Sequence, residues 1–329
     1  MKMYFDDIDK KLLNAIQVAF PLRREPFAVL GTRLGISAGE VLRRIERFKQ
    51  GGVVRLIGPV LDARRLGYQT TLVAMKIAQN RLDKAAQAIS QHTGISHCYE
   101  RSHHLNFWFT LALPPGVETE TELQKLSNTI KPEAMLELPA LRLFKIGVFF
   151  DMSGDDQRIS DTGIAPSNIL YQKVDLSPAD KLVVNELQHD LSLVQRPFDH
   201  SSRRLGMDID QFLAHCYSLK QRGIMRRFGA SIKHNEVGFT ANAMTCWVAP
   251  PEVVETAGKK LAALREVSHC YERKTGPLWD YNLFAMIHGD AREDCQLIAD
   301  KISQETGLNE YVLLFSTKEF KKTRVKYLL

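Results

Sequence analysis

Apolar residues recur at Ile8, Leu12, Leu13 and Ile16, a spacing that gathers them on one face of a helix. A second helix is predicted from Pro26, whose fixed φ suits a first helical turn, with Leu30 and Leu34 inward and Gly35 as the stop. Ser37 caps a third, with Val41, Leu42, Ile45 and Phe48 inward and Gly51-Gly52 ending it. The run from Val53 to Ile57 then reads as a strand. Three short helices followed by a strand predict a winged helix-turn-helix. Beyond it the pattern predicts strand over 70–78, helix over 83–92, strands over 97–101 and 107–113, helix over 120–130 and strand over 141–150. That β-α-β-β-α-β order is ferredoxin-like: an antiparallel sheet with helices on one face.

The whole design occurs twice. A shift of 171 positions brings Asp9-Lys10 onto Asp180-Lys181, Arg33-Leu34-Gly35 onto Arg204-Leu205-Gly206, and Gly52, Arg55 and Gly58 onto Gly223, Arg226 and Gly229. The hexapeptide Ser96-His97-Cys98-Tyr99-Glu100-Arg101 returns unchanged as Ser268-His269-Cys270-Tyr271-Glu272-Arg273. Past it the shift grows to 176 at Asn106 and Asn282, because the second copy has the longer connection. The fold class is therefore α+β, a tandem duplication of a winged helix-turn-helix and a ferredoxin-like domain. The predicted divisions are 1–60, 61–152, a Ser/Asp/Gly/Pro-rich linker 153–174, then 175–231 and 232–329.

Composition narrows the function without choosing it. An apolar fraction of 44% and a charged fraction of 25% are those of a soluble globular protein, and 329 residues leave ample core. The net charge of +6 suits nucleic acid and equally a ligand carrying many carboxylates. Five cysteines with no C-x-x-C pair argue against a disulfide framework or zinc site and for a reducing, cytoplasmic setting. No apolar stretch approaches the roughly 20 residues of a membrane span. The third helix of the first half carries Arg43, Arg44, Arg47 and Lys49, as a DNA-reading helix would. Its counterpart opens on Asp208 and Asp210, which phosphate would repel, so DNA binding is not expected.

The repeated hexapeptide holds the candidate chemistry. As a strand it places His97, Tyr99 and Arg101 on one face and Cys98 and Glu100 on the other, and His269, Tyr271 and Arg273 align likewise. Imidazole, phenol and guanidinium together can hold an anion and deliver a proton; a purely structural strand pair is the competing reading. Cys98 and Cys270 are expected to pack as small hydrophobes, and His92, His189, His200, His215 and His234 as ordinary structural histidines. After the hexapeptide one copy adds His103-His104 and Trp108, whereas the other adds a Gly276-Pro277 turn with Trp279 and Tyr281. A planar ligand with anionic arms fits this set, its face against the aromatics and its carboxylates on Arg55, Arg101, Arg226 and Arg273.

At these residues the chain resembles the siroheme decarboxylases, a branch of the Lrp/AsnC regulator fold. The resemblance rests on His-Cys-Tyr-Glu-Arg followed by Leu105-Asn106-Phe107-Trp108-Phe109 in one half and Trp279-Asp280-Tyr281-Asn282-Leu283-Phe284 in the other. Val54-Arg55-Leu56-Ile57-Gly58 and Met225-Arg226-Arg227-Phe228-Gly229 match the family's basic wing strand. It implies loss of carbon dioxide from the acetates at ring carbons 12 and 18 of siroheme, giving didecarboxysiroheme on the way to heme d1. It implies homologous chains, or self-association, as partners. His97, His103, His104 and His269 become proton-transfer candidates, and Tyr99 and Tyr271 orient the carboxylate anchors. Arg55, Arg101, Arg226 and Arg273 anchor carboxylates, while Asn106, Asn282, Trp108 and Trp279 line the substrate. No cofactor and no metal site are expected beyond the substrate's iron, which His103 or His104 would be placed to ligate. The alternatives are a DNA-binding Lrp/AsnC-type regulator and a haem-binding sensor without catalysis.

Overall fold

A computed structural model of the chain describes residues 3–147, the backbone of 167–168, and residues 173–232 and 241–329. His234, the end of the strand predicted over 141–150 and most of the predicted linker 153–174 lie outside the described residues. The first half opens with α1 (Asp7–Val18), α2 (Pro26–Leu34) and α3 (Ala38–Gln50). Their ends follow the predicted signals: Pro26 begins α2, Gly35 closes it at φ 69°, and the Ser37 hydroxyl accepts from the Glu40 amide. Then come β1 (Val54–Leu61), β2 (Gln69–Lys76), α4 (Leu82–Ser90), β3 (Ile95–Arg101), β4 (Phe107–Leu113), α5 (Thr119–Ile130) and β5 (Ala134–Ile146), with a two-residue β6 at Ser167–Asn168. The second half repeats the plan as α6 (Pro178–Leu187), α7 (Phe198–Arg204), α8 (Ile209–Gln221), β7 (Met225–Ile232), β8 (Ala241–Trp247), α9 (Pro251–Ala263), β9 (Val267–Arg273), β10 (Leu283–Gly289), α10 (Arg292–Thr306) and β11 (Tyr311–Lys322).

The two helix-turn-helix units are not separate bodies. Leu12, Ile16, Phe27 and Phe48 of the first share one apolar core with Val183, Phe198, Phe212 and Leu219 of the second. The wing strands pair with each other, β1 antiparallel to β7, rather than each folding back as a wing of its own. Gly58 lies opposite Gly229 at the centre of this ribbon, and β7 passes so close to α1 that a Cβ on Gly229 would sit 2.7 Å from the Ile16 carbonyl oxygen. Glycine is required there by contact rather than by conformation.

The two ferredoxin-like sheets also merge. Strand β5 begins at Ala134, earlier than the pattern predicted, and serves both halves: residues 134–139 pair with β2 and residues 140–146 with β9. Pro139 stands where the strand changes partner, a place in the ladder where its missing amide hydrogen is tolerated. Strand β11 does the same in reverse, pairing residues 311–315 with β8 and residues 316–322 with β3. The result is a closed antiparallel ring in the order β2-β4-β3-β11-β8-β10-β9-β5 and back to β2. Eight strands enclose just enough room for packed side chains or one small ligand. The outer face of the ring carries α4 and α5 on one side and α9 and α10 on the other, each pair over its own core. Part of the interior is filled by apolar side chains from both halves, among them Trp108, Met244, Trp279 and Phe284. The remainder is open.

Residues 323–329 leave the ring and run onto the helix-turn-helix unit. The Thr323 amide donates to the Ser96 carbonyl oxygen, Arg324 to the Pro59 carbonyl oxygen, and Tyr327 exchanges two hydrogen bonds with the Gln188 side chain. This tail closes the end of the ring that faces the wing ribbon.

Candidate active site

Because side chains alternate along a strand, β3 sends Cys98 into the helix-covered core and His97, Tyr99 and Arg101 into the ring. Strand β9 does the same with Cys270, His269, Tyr271 and Arg273. The two sets line one chamber of about 660 Å³, within the roughly 300–1,000 Å³ usual for small-molecule and cofactor sites. The halves build it alike: the imidazole and phenol rings lie 6.4 Å and 28° apart in His97–Tyr99, and 6.5 Å and 15° apart in His269–Tyr271. A smaller cavity of about 420 Å³ adjoins it and shares Arg64, Thr70, Thr71 and Ala140.

The chamber is strongly cationic. Arg55, Arg64, Arg101, Arg227 and Arg273 line it with Lys318 and Lys322, against a single described lining carboxylate, Glu319, which lies 3.7 Å from Lys322. Arg101 is only 6% exposed; it donates to the Leu314 carbonyl oxygen at 2.8 Å, and its Nε has no partner. Arg273 donates to the Leu138 carbonyl oxygen at 2.9 Å and likewise leaves Nε unsatisfied, with its guanidinium 4.7 Å from the Tyr271 ring centre. Neither has a carboxylate partner among the described residues. Burial pulls both guanidiniums down to about 10, so holding each charge there costs about 3 kcal/mol. Sites arranged this way are completed by an anion.

Burial acts on the imidazoles in the same sense. With Lys322 and Arg55 nearby, His97 falls to about 4. His269 falls to about 3 through burial and then its neighbours, His288 foremost. Both are neutral at pH 7 in the free protein, not poised at the ordinary value of about 6.5. Carboxylates entering the chamber would oppose this shift. Burial likewise raises the phenols of Tyr99 and Tyr271, keeping them neutral donors. Each histidine uses Nδ1 on the preceding serine hydroxyl, at 2.9 Å in both halves, which leaves Nε2 for the chamber.

Eight of the expected residues therefore meet in one place: His97, Tyr99, Arg101, His269, Tyr271 and Arg273 with Arg55 and Trp108. The other six lie outside its lining. Asn106 binds both backbone groups of Ile77, and Asn282 those of Ala249, so each amide fastens a hairpin instead of facing a ligand. Arg226 is drawn into an ion pair with Asp62 at 2.6 Å. That acid has no counterpart in the other copy, where the matching position is Lys233. Trp279 is 2% exposed and sits in the interior core behind Trp108, at 5.2 Å between ring centres. His103 packs edge-on against Trp279 and beside exposed His104, two rings removed from the chamber wall. The counterpart of Trp108 at the wall is Phe284, given by the 176-residue shift. Arg64, Arg227 and His288 were not singled out for the site from sequence. The pair Arg226-Arg227 carried a signal for one of them, since neighbours on a strand point opposite ways.

Known proteins resemble both kinds of domain in this chain. A family model described as the AsnC-like ligand binding domain matches residues 65–145 and 236–321, and one described as the siroheme decarboxylase NirDL-like HTH domain matches 9–55 and 180–226. A siroheme decarboxylase of Hydrogenobacter thermophilus is 40% identical over 96% of this chain and 94% of its own length. The chain belongs to the siroheme decarboxylase family. The siroheme decarboxylase NirDL subunit of Paracoccus denitrificans is 31% identical over 97% of both chains. The crystal structure of the siroheme decarboxylase NirDL superposes with a TM-score of 0.76 at 37% identity, covering 98% of this chain and 95% of that one. Another, of the same decarboxylase with an iron-uroporphyrin III analogue, gives 0.75 at 36% identity and the same coverage.

The helix-turn-helix shared with other siroheme decarboxylases shows where the basic third helix spends its charge. Arg44 of α3 binds Asp6, Asp9 and Glu40, Arg47 binds Asp9, and Arg43 lies 2.6 Å from Glu40. Arg44 and Arg47 fasten α3 to α1, while Arg43 pairs within α3. Among the described residues no cluster of three or more metal-binding side chains occurs, and no helix is long and apolar enough to cross a membrane.

Proposed function

We propose that this protein decarboxylates siroheme, removing carbon dioxide from the acetate arms at ring carbons 12 and 18 to give didecarboxysiroheme for heme d1 synthesis. The observation that carries the reading is the pair of buried arginines without acid partners among the described residues, lining one chamber beside matched His–Tyr pairs. The substrate is a flat polycarboxylate. Its arms give Arg101 and Arg273 the anions they lack, and the wall of Trp108 and Phe284 meets its apolar surface.

Each step breaks the bond between the acetate methylene and its carboxylate. Carbon dioxide leaves, and the electron pair stays on the methylene, delocalised into the conjugated ring. One proton then completes the methyl group. His97 and His269 each present a ring nitrogen to the chamber, so they supply that proton. The arginines fix the arms that do not react, and the dry wall favours the less charged transition state over the carboxylate. The conjugated ring takes up the electrons, so the chemistry asks for no further cofactor. Five buried, unpaired cysteines suit a cytoplasmic site for the reaction.

Anaerobic incubation of the protein with siroheme, followed by mass analysis, tests the reading. Loss of two carbon dioxide units is expected, with homologous chains added in a parallel arm to show whether partners are needed. Tight siroheme binding with no mass loss in either arm would leave a haem-binding sensor as the better description.

A further inference from the structure

The two half-sites present the same His, Tyr and Arg to the chamber and differ in what lies on the far side of the serine hydroxyl. In the first half the Ser96 hydroxyl lies 2.9 Å from His97 Nδ1 and 3.0 Å from the Thr110 hydroxyl, where the chain of hydrogen bonds reaches a second alcohol. In the second half the Ser268 hydroxyl lies 2.9 Å from His269 Nδ1 and 2.7 Å from His288 Nε2. The position of His288 is held in the first half by Ala112: the His288 amide bonds the Glu266 carbonyl oxygen just as the Ala112 amide bonds that of Gly94. Only one half therefore has a second imidazole behind its histidine.

A hydroxyl carries one proton. With a ring nitrogen on each side, Ser268 donates to one and accepts from the other, so the two imidazoles stand at opposite ends of a continuous path. An alcohol at the end of the Ser96 path cannot hold a proton as a cation near neutral pH, whereas an imidazole can. His288 is buried and neutral at pH 7, held down to about 4 by burial and then by Lys322, and it lines the same chamber that a polyanion would fill.

We propose that His288 is the proton reservoir of the His269 half-site, so that the two decarboxylations draw their protons by different routes. This rests on the siroheme decarboxylase reading. In the loaded state His288 is an imidazolium. Its Nε2 proton passes to Ser268 as the Ser268 proton passes to His269 Nδ1, and His269 releases its Nε2 proton to the carbon that carries the electron pair. One positive charge moves from His288 to that carbon and is cancelled there; His288 ends neutral and is recharged from solvent. His97 has no such reserve and takes its proton from the chamber itself. His288 thus acts through His269 as a positioning and supply residue, without touching the substrate's reacting atoms.

The test is a His288→Gln variant, whose amide still bonds Ser268 but cannot carry the proton. Single-turnover reactions with siroheme are followed anaerobically by mass analysis, in H2O and D2O, beside the parent protein. One of the two steps should slow by about 10-fold or more, in line with general acid catalysis. The other should keep its rate, so that the singly decarboxylated species accumulates. The solvent isotope effect should rise on the slow step alone, with absorbance titration used to keep siroheme saturating for both proteins. Two parental rates, or two equal losses at saturating siroheme, would overturn the proposal. Failure of the parent to release carbon dioxide would instead overturn the decarboxylase reading. Should the variant fold poorly, imidazole-¹⁵N spectra of the parent with metal-free uroporphyrin III decide: His288 gains a proton on binding if the proposal holds and stays neutral if it does not.

Discussion

Replacing Arg101 by Met should separate binding from stability, because the two respond with opposite sign. In the free protein the guanidinium is buried without a carboxylate, and its fall from 12.5 to about 10 corresponds to about 3 kcal/mol against the charged form. Methionine fills similar space without that charge. The change also removes the 2.8 Å bond to the Leu314 carbonyl oxygen, worth about 1.5–3 kcal/mol for a charged donor. Thermal unfolding of Arg101→Met without ligand should thus show stability unchanged or raised by about 1 kcal/mol. Siroheme binding should move the other way. Removing one partner of a buried charge pair costs about 2–5 kcal/mol, or about 30-fold to several thousand-fold in affinity. Absorbance titration under anaerobic conditions reads that number directly. A variant destabilised by more than about 2 kcal/mol that still binds siroheme within threefold of the parent would refute the assignment and make Arg101 a structural pillar.

Other outcomes follow from the same geometry. Asn282→Ala should lower stability by about 1–3 kcal/mol, since it strips both backbone groups of Ala249 of their partners, while leaving KM for siroheme unchanged in steady-state assays. Acid should destabilise the free protein: His97 and His269 titrate at about 4 and about 3 when folded but near 6.5 when unfolded. The unfolded chain therefore binds more protons as pH falls below about 6.5, so stability present above that value is lost toward pH 4; denaturant titrations should show His97→Gln flattening this slope. Siroheme binding near pH 7 should take up protons, seen as a dependence of calorimetric binding heat on the buffer's ionisation enthalpy. A gel shift with genomic DNA fragments should be negative at physiological salt, because the arginines of α3 are bound to Asp6, Asp9 and Glu40.

Much of this architecture was legible in the sequence, and the failures share a cause. Local signals placed the helices well: Pro26, Gly35 and Ser37 mark ends that depend only on neighbouring residues. The face of each hexapeptide was legible too, since strand alternation is local. The closed ring was not, because partner exchange by β5 and β11 depends on contacts more than a hundred residues away. The candidates that lie outside the chamber lining do so for the same reason. Asn106 and Asn282 recur in both copies because both hairpins need the same fastening, and repetition alone does not separate fastening from binding. Arg226 looks equivalent to Arg55 until Asp62 reaches it across the ribbon. The pull of burial on the histidines required the chamber itself.

The strand exchange bears on how such a protein can change over time. Siroheme decarboxylases named as alpha and beta subunits match 46% of this chain, about one half of it. Cut apart, each half here would present the far end of β5 or β11 as a bare edge, a template for the wrong neighbour. Joined in one polypeptide, each half always meets its own complement at high local concentration. Neither half must then remain able to pair with a copy of itself, and substitutions accepted on one side, such as Asp62 or His288, need no echo on the other.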